Sequence, residues 1–294
     1  MSTVKSISVG NGDMFYIKHN SDNFTIIDCN LRDADEIVII NELIKESKNR
    51  GITRFISTSP DLDHIRGITT LDEKMPIQNF YVVPNKAAKN DKNEDFAKYC
   101  ELRDGSKAFN ISRGVRRKWM NESDDTRKTS GLSILWPILE NEKFIEALKD
   151  AEVGNSPNNI SPIVTYSLQN GGSVIWMGDL EFPFMESIIN DIDIPSRDIL
   201  IAPHHGRKSG KVPEKFLKDI SPKVIIIGEA SSDDLHYYSG YNTITQNSAE
   251  HITMEFVEEK IHFFTSSTSY NVDFLDDEKI VNENLGTYIG TLNL

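Results

Sequence analysis

The sequence predicts an α/β (α+β) chain folded as a four-layer αββα sandwich, two mixed sheets packed face to face with helices outside. Three observations predict it. Short apolar, strand-like runs occur in series in both halves of the 294 residues, with helical patterns between them. Several neighbouring runs read as hairpins, as in IVTYSLQNGGSVIWMGD, where Asn170-Gly171-Gly172 is a favourable turn. No internal repeat, low-complexity tract or Pro/Gly/Ser-rich linker divides the chain. The alternation also permits a doubly wound sheet, but the hairpins rank that second.

The elements follow in order. SISVGNGDMFYI (6–17) reads as two strand pieces around a GNGD turn, and NFTIIDC (23–29) as the next strand. Asp33–Arg50 carries Ile37, Ile40, Leu43 and Ile44 at helical spacing, with Asp33 or Asp35 available near its start. A strand at Arg54–Ser59 feeds the stretch SPDLDH, IRGITTLDEK suits a short helix, and NFYVVP a strand. Residues 86–130 are polar and charged and read as a helix plus an irregular excursion. Strand LSILWP and a helix near 140–152 precede the hairpin. Helix FPFMESIINDI, strand ILIAPH, helix VPEKFLKDI and strand KVIIIGE follow, and KIHFFTS, YNVDFL and GTYIGTLNL are all strand-like. The expected organisation is one domain over 1–294, with a polar insertion at about 86–130.

Composition bounds the function. The net charge is −13, from 32 basic and 45 acidic residues, which argues against a large duplex-gripping face but not against a small site where bound cations supply the positive field. One basic cluster, RGVRRKW at 113–119, is either a solvated loop or a backbone-contacting one. No apolar run approaches the ~20 residues that span a bilayer. The first residues, MSTVKSISVG, lack the basic head and apolar core of a secretory signal, and Cys29 and Cys100 form no CxxC pair, so a cytoplasmic location is expected.

The chemistry gathers at three strand ends. Asp61, Asp63 and His64 follow the strand at 54–59, Asp179 ends SVIWM, and His204 and His205 end ILIA, each beside a glycine. An Asp-rich turn or a paired histidine is commonplace alone; three apolar strands all ending in ionisable groups are not. Each unpaired buried charge costs several kcal/mol, and a divalent cation removes that cost by coordination. Mixed oxygen and imidazole donors suit zinc, manganese or iron.

VGNGD (9–13), IIDCN (26–30), SPDLDHIRG (59–67), NNIS (158–161), GDLE (178–181) and PHHGRKS (203–209) together resemble the metallo-β-lactamase superfamily. The resemblance is closest to the branch containing the hydrolase domain of the competence DNA-uptake protein ComEC. It covers residues 9–209, leaves about 240–294 unmatched, and implies the αββα sandwich of that superfamily. Aligned on its HxHxDH signature, Ser59 stands where the first metal histidine normally sits and Asp61 takes the second place, while Asn158–Asn159 replace a further histidine. One metal position then keeps Asp61, the shared Asp179 and, as weak donors, Ser59 and Asn159. The other keeps Asp63, His64, Asp179 and His204 or His205. The oxygen-dominated position favours manganese or magnesium over zinc, so the chain is expected to carry one or two divalent ions.

The resemblance implies a hydrolase, most closely a phosphodiesterase or nuclease acting through a metal-activated water. Asp63 would orient the water or hold its metal. His236, matching a late family histidine, would protonate the leaving group or contact phosphate, and Lys208 and Arg207 would bind a phosphate oxygen. The implied partners are a nucleic acid or other phosphodiester and, by association, a protein component of a bacterial anti-phage system. Two alternatives stand beside this: a small-molecule hydrolase acting on a cyclic nucleotide, phosphoester or lactone, and a catalytically silent binding module, because Ser59 replaces a ligand.

Overall fold

In the computed structural model, which describes residues 1–31, 35–89 and 93–294, three β-strand ends meet at one edge of two mixed sheets. The chain opens with β1 (Ser2–Ser6), β2 (Phe15–Lys18), β3 (Asn23–Ile27) and the short β4 (Cys29–Asn30). After α1 (Glu36–Ser47) come β5 (Ile52–Ser57), α2 (Leu62–Ile65), α3 (Ile68–Lys74), β6 (Phe80–Val82), α4 (Glu94–Asp104) and β7 (Ala108–Asn110). The second sheet begins with β8 (Leu132–Trp136). Then follow α5 (Glu142–Glu152), β9 (Ile163–Ser167), β10 (Ser173–Trp176), α6 (Phe182–Ser187), β11 (Ile199–Ile201), α7 (Glu214–Ile220), β12 (Val224–Ile227) and β13 (Thr243–Thr245). The chain ends with α8 (Gln246–Ala249), β14 (Ile252–Val257), β15 (Lys260–Thr265) and β16 (Thr287–Asn293).

The first sheet runs β16-β15-β14-β1-β2-β3-β5-β6-β7, antiparallel as far as β3 and parallel beyond it. The second runs β13-β12-β11-β10-β9-β8, parallel through β10 and antiparallel after it. Strand alternation explains the layering. Phe15, Ile17, Ile27 and Ile56 share a core with Ile134, Val164, Val174 and Ile225 of the second sheet. Their strand neighbours Tyr16, Ile26 and Phe55 point the other way, onto Ile39, Ile40 and Leu43 of α1 and Phe96 and Tyr99 of α4. All four residues of β12 are buried, as a strand covered on both faces must be. Phe144, Met185 and Phe216 of α5, α6 and α7 join that core, giving the four layers expected.

The structure differs from the sequence reading at several points. The buried stripe of α1 is Ile39, Ile40 and Leu43, while Ile37 and Ile44 are exposed, because the buried face is rotated by about a sixth of a turn from the expected one and keeps Ile40 and Leu43. Asp35 takes the N-cap position, and Asp33 lies outside the described residues, as do 90–92 of the polar excursion. That excursion contributes β7 to the sheet edge. YNVDFL is irregular, and a strand forms instead at β14, where Ile252, Met254 and Phe256 alternate into the core. Among the described residues no helix is long and apolar enough to cross a membrane.

Candidate metal centre

Strand β5 stops at Ser57, Pro60 blocks its continuation, and the single turn α2 swings Asp63 and His64 back over the sheet edge. The loop after β1 is tied to this turn, since the Asp13 backbone N–H donates to the Asp63 carbonyl at 3.0 Å. The approach is close enough to require glycine: a Cβ on Gly12 would lie 2.6 Å from that same carbonyl. After β10, Asp179 is buried, its N–H donating to the Ser161 hydroxyl at 3.0 Å. After β11, His204 (φ 52°), His205 (φ 59°) and Gly206 (φ 87°) are successive left-handed residues. Strain of this kind persists only where the surroundings enforce it; here it turns the His205 ring inward.

The four groups so delivered, His64, His205 and Asp179 buried and Asp63 partly so, converge. His64 Nε2 lies 2.7 Å from Asp179 Oδ2, and His205 Nε2 lies 3.3 Å from Asp63 Oδ2 and 3.9 Å from Asp179 Oδ1. On the far side of each ring a second carboxylate accepts the other nitrogen's proton. His64 Nδ1 donates to Asp28 at 2.9 Å, and His205 Nδ1 to Asp13 at 3.0 Å. Those bonds leave each Nε2 aimed at the cluster, the arrangement by which carboxylates orient metal-binding imidazoles. Asp28 is itself fixed by the Thr58 N–H (2.7 Å) and hydroxyl (2.5 Å). Asp13 also offers an oxygen within 4.8 Å of the His64, His205 and Asp179 ligand atoms, but its bond to His205 Nδ1 gives it the orienting part.

The donor set fits a divalent cation. His64 Nε2 and Asp179 Oδ1 are buried with no hydrogen-bond partner among the described residues; the 2.7 Å approach of ring to carboxylate is not aligned as a hydrogen bond. Buried polar atoms are normally satisfied, and a ring nitrogen and a carboxylate that face one another, each with an atom left unpartnered, are what two ligands of one ion look like. A second group, Asp61, Asp63 and Asp179, also lies within 4.8 Å and holds oxygen donors only.

The electrostatics agree. Burial would depress both imidazoles, yet the Asp179 and Asp28 carboxylates hold His64 well above its ordinary value, and Asp13, Asp63 and Asp179 hold His205 at about 10. Burial would raise the Asp179 and Asp63 carboxyls, and the facing histidines hold both low instead. Asp28 is raised by burial, only partly offset by His64 and Thr58.

The structure thus gathers Asp61, Asp63, His64, Asp179 and His205; His204 is outside these two carboxylate–imidazole groups but lines the same cleft as Asp61, Asp63 and Asp179. The His204 ring turns to the Ser209 hydroxyl (2.9 Å) and receives Arg207 at Nε2 (3.4 Å). Ser59 is buried with its hydroxyl accepting the Asp61 N–H at 3.2 Å, a turn-forming contact. Asn159 is engaged by Glu181, donating to its carboxylate at 3.2 Å and accepting its N–H at 3.1 Å. The His236 ring lies tilted against that of Tyr237, centroids 4.8 Å apart, and neither it nor Lys208 lines the cleft at the cluster, whereas Arg207 does. Asp13 and Asp28 are the additions. Both stand in the VGNGD and IIDCN landmarks, where an aspartate beside an apolar strand was the available signal.

That cleft is open, about 620 Å³, with Asp61, Asp63 and Asp179 at its base and Arg66, Lys89 and Arg207 among its walls. A larger cavity, about 700 Å³, lies beside α1, but there Glu42 is taken by Lys5 and Tyr16 and Glu46 by Lys18. The chemistry belongs to the smaller cleft, which Asp179, with its unpartnered oxygen, lines.

Asp28→Asn tests the orienting bond. Asparagine tolerates the left-handed backbone at 28 (φ 58°) but loses the charge facing the His64 Nδ1 proton. Metal affinity is expected to fall by about 10–100-fold, the usual cost of losing such a partner, as read by competition with a chromophoric chelator.

No protein-family model matches the chain, and no curated protein matches it. Among solved structures it is similar to the metallo-β-lactamase SMB-1 in a complex with mercaptoacetic acid, at 11% identity over 68% of this chain and 76% of that one, with a TM-score of 0.38. It is also similar to the B3 metallo-β-lactamase BLEG-1, at 16% identity over 67% of this chain and 89% of that one, with a TM-score of 0.35.

Proposed function

We propose that this chain is a metal-dependent hydrolase acting on phosphodiesters. The observation that carries the reading is the pair of buried imidazoles, each backed by its own carboxylate, aimed with Asp179 and Asp63 at the base of a cation-walled cleft. His64, His205, Asp179 and Asp63 would hold the ion. A divalent cation there supplies Lewis acidity and brings the pKa of water toward neutrality.

The chain's own residues do the rest. Asp28 and Asp13 keep each ring's proton on Nδ1 and its lone pair on Nε2. Asp63, whose side chain is 25% exposed and so the solvent-facing member of the four, is placed to hold a water and accept its proton. Arg207, anchored by donating to the Asn11 side chain, and Arg66 offer guanidinium donors to non-bridging oxygens. In a chain of net charge −13, cations gathered at an acidic centre select for an anionic substrate.

The nuclease form of this reading, with its place in an anti-phage system beside a protein partner, rests on the motif resemblance to the ComEC branch. A specific observation favours a short or small phosphodiester. Arg116–Trp119 line a hollow with Ile52 and Asn79, at the starts of β5 and β6, whereas the cleft lies past the end of β5. Six strand residues, about 20 Å, separate the two, so the basic cluster does not extend the cleft.

The test is hydrolysis of bis(p-nitrophenyl) phosphate and of end-labelled single- and double-stranded DNA with manganese, magnesium or zinc. Cleavage of the small ester alone selects the small-substrate form, and cleavage of DNA the nuclease. Failure on every phosphodiester, by a chain shown to hold its metal, would sink the proposal in favour of a binding module or a lactone hydrolase.

A further inference from the structure

The oxygen-only group, Asp61, Asp63 and Asp179, presents three carboxylates within 4.8 Å of one another at the base of the cleft. Asp179 Oδ1 is buried and without a hydrogen-bond partner among the described residues. Such a group calls for positive charge, and one divalent ion held by the histidines supplies it at one end only. At the other end stands Lys89. Its Nζ lies 2.6 Å from Asp61 Oδ1, closer than most amine–carboxylate contacts, and both side chains are mostly buried, 20% and 29% exposed. The same ammonium lies 5.6 Å from the centre of the Phe96 ring, a second attraction for a cation in that position. The preceding residue is pinned, since the Ala88 N–H donates to the Ala151 carbonyl at 2.9 Å.

We propose that Lys89 supplies the second positive charge of this centre, so that the chain takes one divalent ion at the histidines while the lysine ammonium neutralises Asp61 where a second ion would bind. The inference deepens the hydrolase reading above and rests on its metal centre. Carboxylate donors without imidazole hold zinc weakly and favour harder ions. An ammonium already paired with one of the three leaves a second divalent ion a donor short and facing a like charge. Lys89 is a positioning residue in this account. It fixes Asp61 and sets the charge of the cleft wall.

Metal stoichiometry reads this directly. The purified chain, dialysed to equilibrium against excess manganese and analysed for bound metal, is expected to hold one ion per chain. Lys89→Met removes the ammonium and keeps the length and apolar stem, and is expected to hold two. Lys89→Arg keeps the charge and is expected to stay at one. Retention of the first ion reports that the variant has folded, and Lys89→Gln replaces Lys89→Met if that ion is lost. Two ions in the unmodified chain overturn the assignment of Lys89 alone, as does a count that stays at one in the uncharged variants. A chain that binds no ion removes the centre, and the hydrolase reading with it. One ion without phosphodiester hydrolysis leaves Lys89 in place and refutes only the activity.

Discussion

Asp179→Asn is expected to abolish stoichiometric metal binding and, with it, hydrolysis. Asp179 is the group common to the imidazole-containing cluster and the oxygen-only cluster. Its two oxygens face different partners, Oδ2 lying 2.7 Å from His64 Nε2 and Oδ1 3.9 Å from His205 Nε2. Asparagine preserves the shape but turns one oxygen into a donor and removes the charge. Taking one partner from a buried charged set costs about 3–5 kcal/mol, which is about 10²–10⁴-fold in affinity. The loss should therefore exceed that of Asp28→Asn, which acts through a ring and not at the ion. Metal analysis and calorimetry check it, with circular dichroism confirming the fold. A variant that kept full metal content and activity would show that the converging geometry is only a salt-bridge network.

What was legible in the sequence followed the chemistry of strand ends. A buried strand that ends in aspartate or histidine carries its anomaly in its own residues, so Asp63, His64, Asp179 and the 204–205 pair stood out against Ile-rich runs. The orienting carboxylates did not. Asp28 sits singly after an apolar run and Asp13 in a Gly-Asn-Gly turn, and only the packing of β3 beside β5, and of the β1–β2 loop beneath α2, brings them to the rings. The choice of His205 over His204 was not readable, because it depends on successive left-handed dihedrals and not on residue type. Lys89 left no local trace: it lies 28 residues beyond Asp61 in a polar stretch where lysine is ordinary, and only the tertiary fold pairs them. His236 and Lys208 show the converse. Being near a histidine pair in sequence, or matching a family position, did not place them on the cleft wall.

The same contacts that orient the histidines also make protons compete with metal. With His205 held at about 10 and His64 well above 6.5, the protein's own carboxylates keep both imidazoles protonated at neutral pH. Each ring retains its Nδ1 proton for Asp28 or Asp13 and gives up the Nε2 proton to ligate. Binding at pH 7 is therefore expected to release about two protons per ion, and affinity to rise about 100-fold per pH unit near neutrality. The sign for stability runs the other way. A histidine raised above 6.5 stabilises the metal-free chain fully below that pH and loses its contribution as pH climbs toward about 10. Asp179 and Asp63, held below 3.8, contribute above that value and lose their contribution as pH falls beneath it. From these four groups the metal-free chain gains most between about pH 4 and 6.5, a range in which protons on the imidazoles compete with the ion. The rise in melting temperature on adding manganese should accordingly grow from pH 6 to pH 8. Calorimetry in two buffers of different ionisation enthalpy counts the protons. A count near zero would mean neutral rings in the metal-free protein, each facing its carboxylate at 2.7–3.3 Å with an unprotonated Nε2.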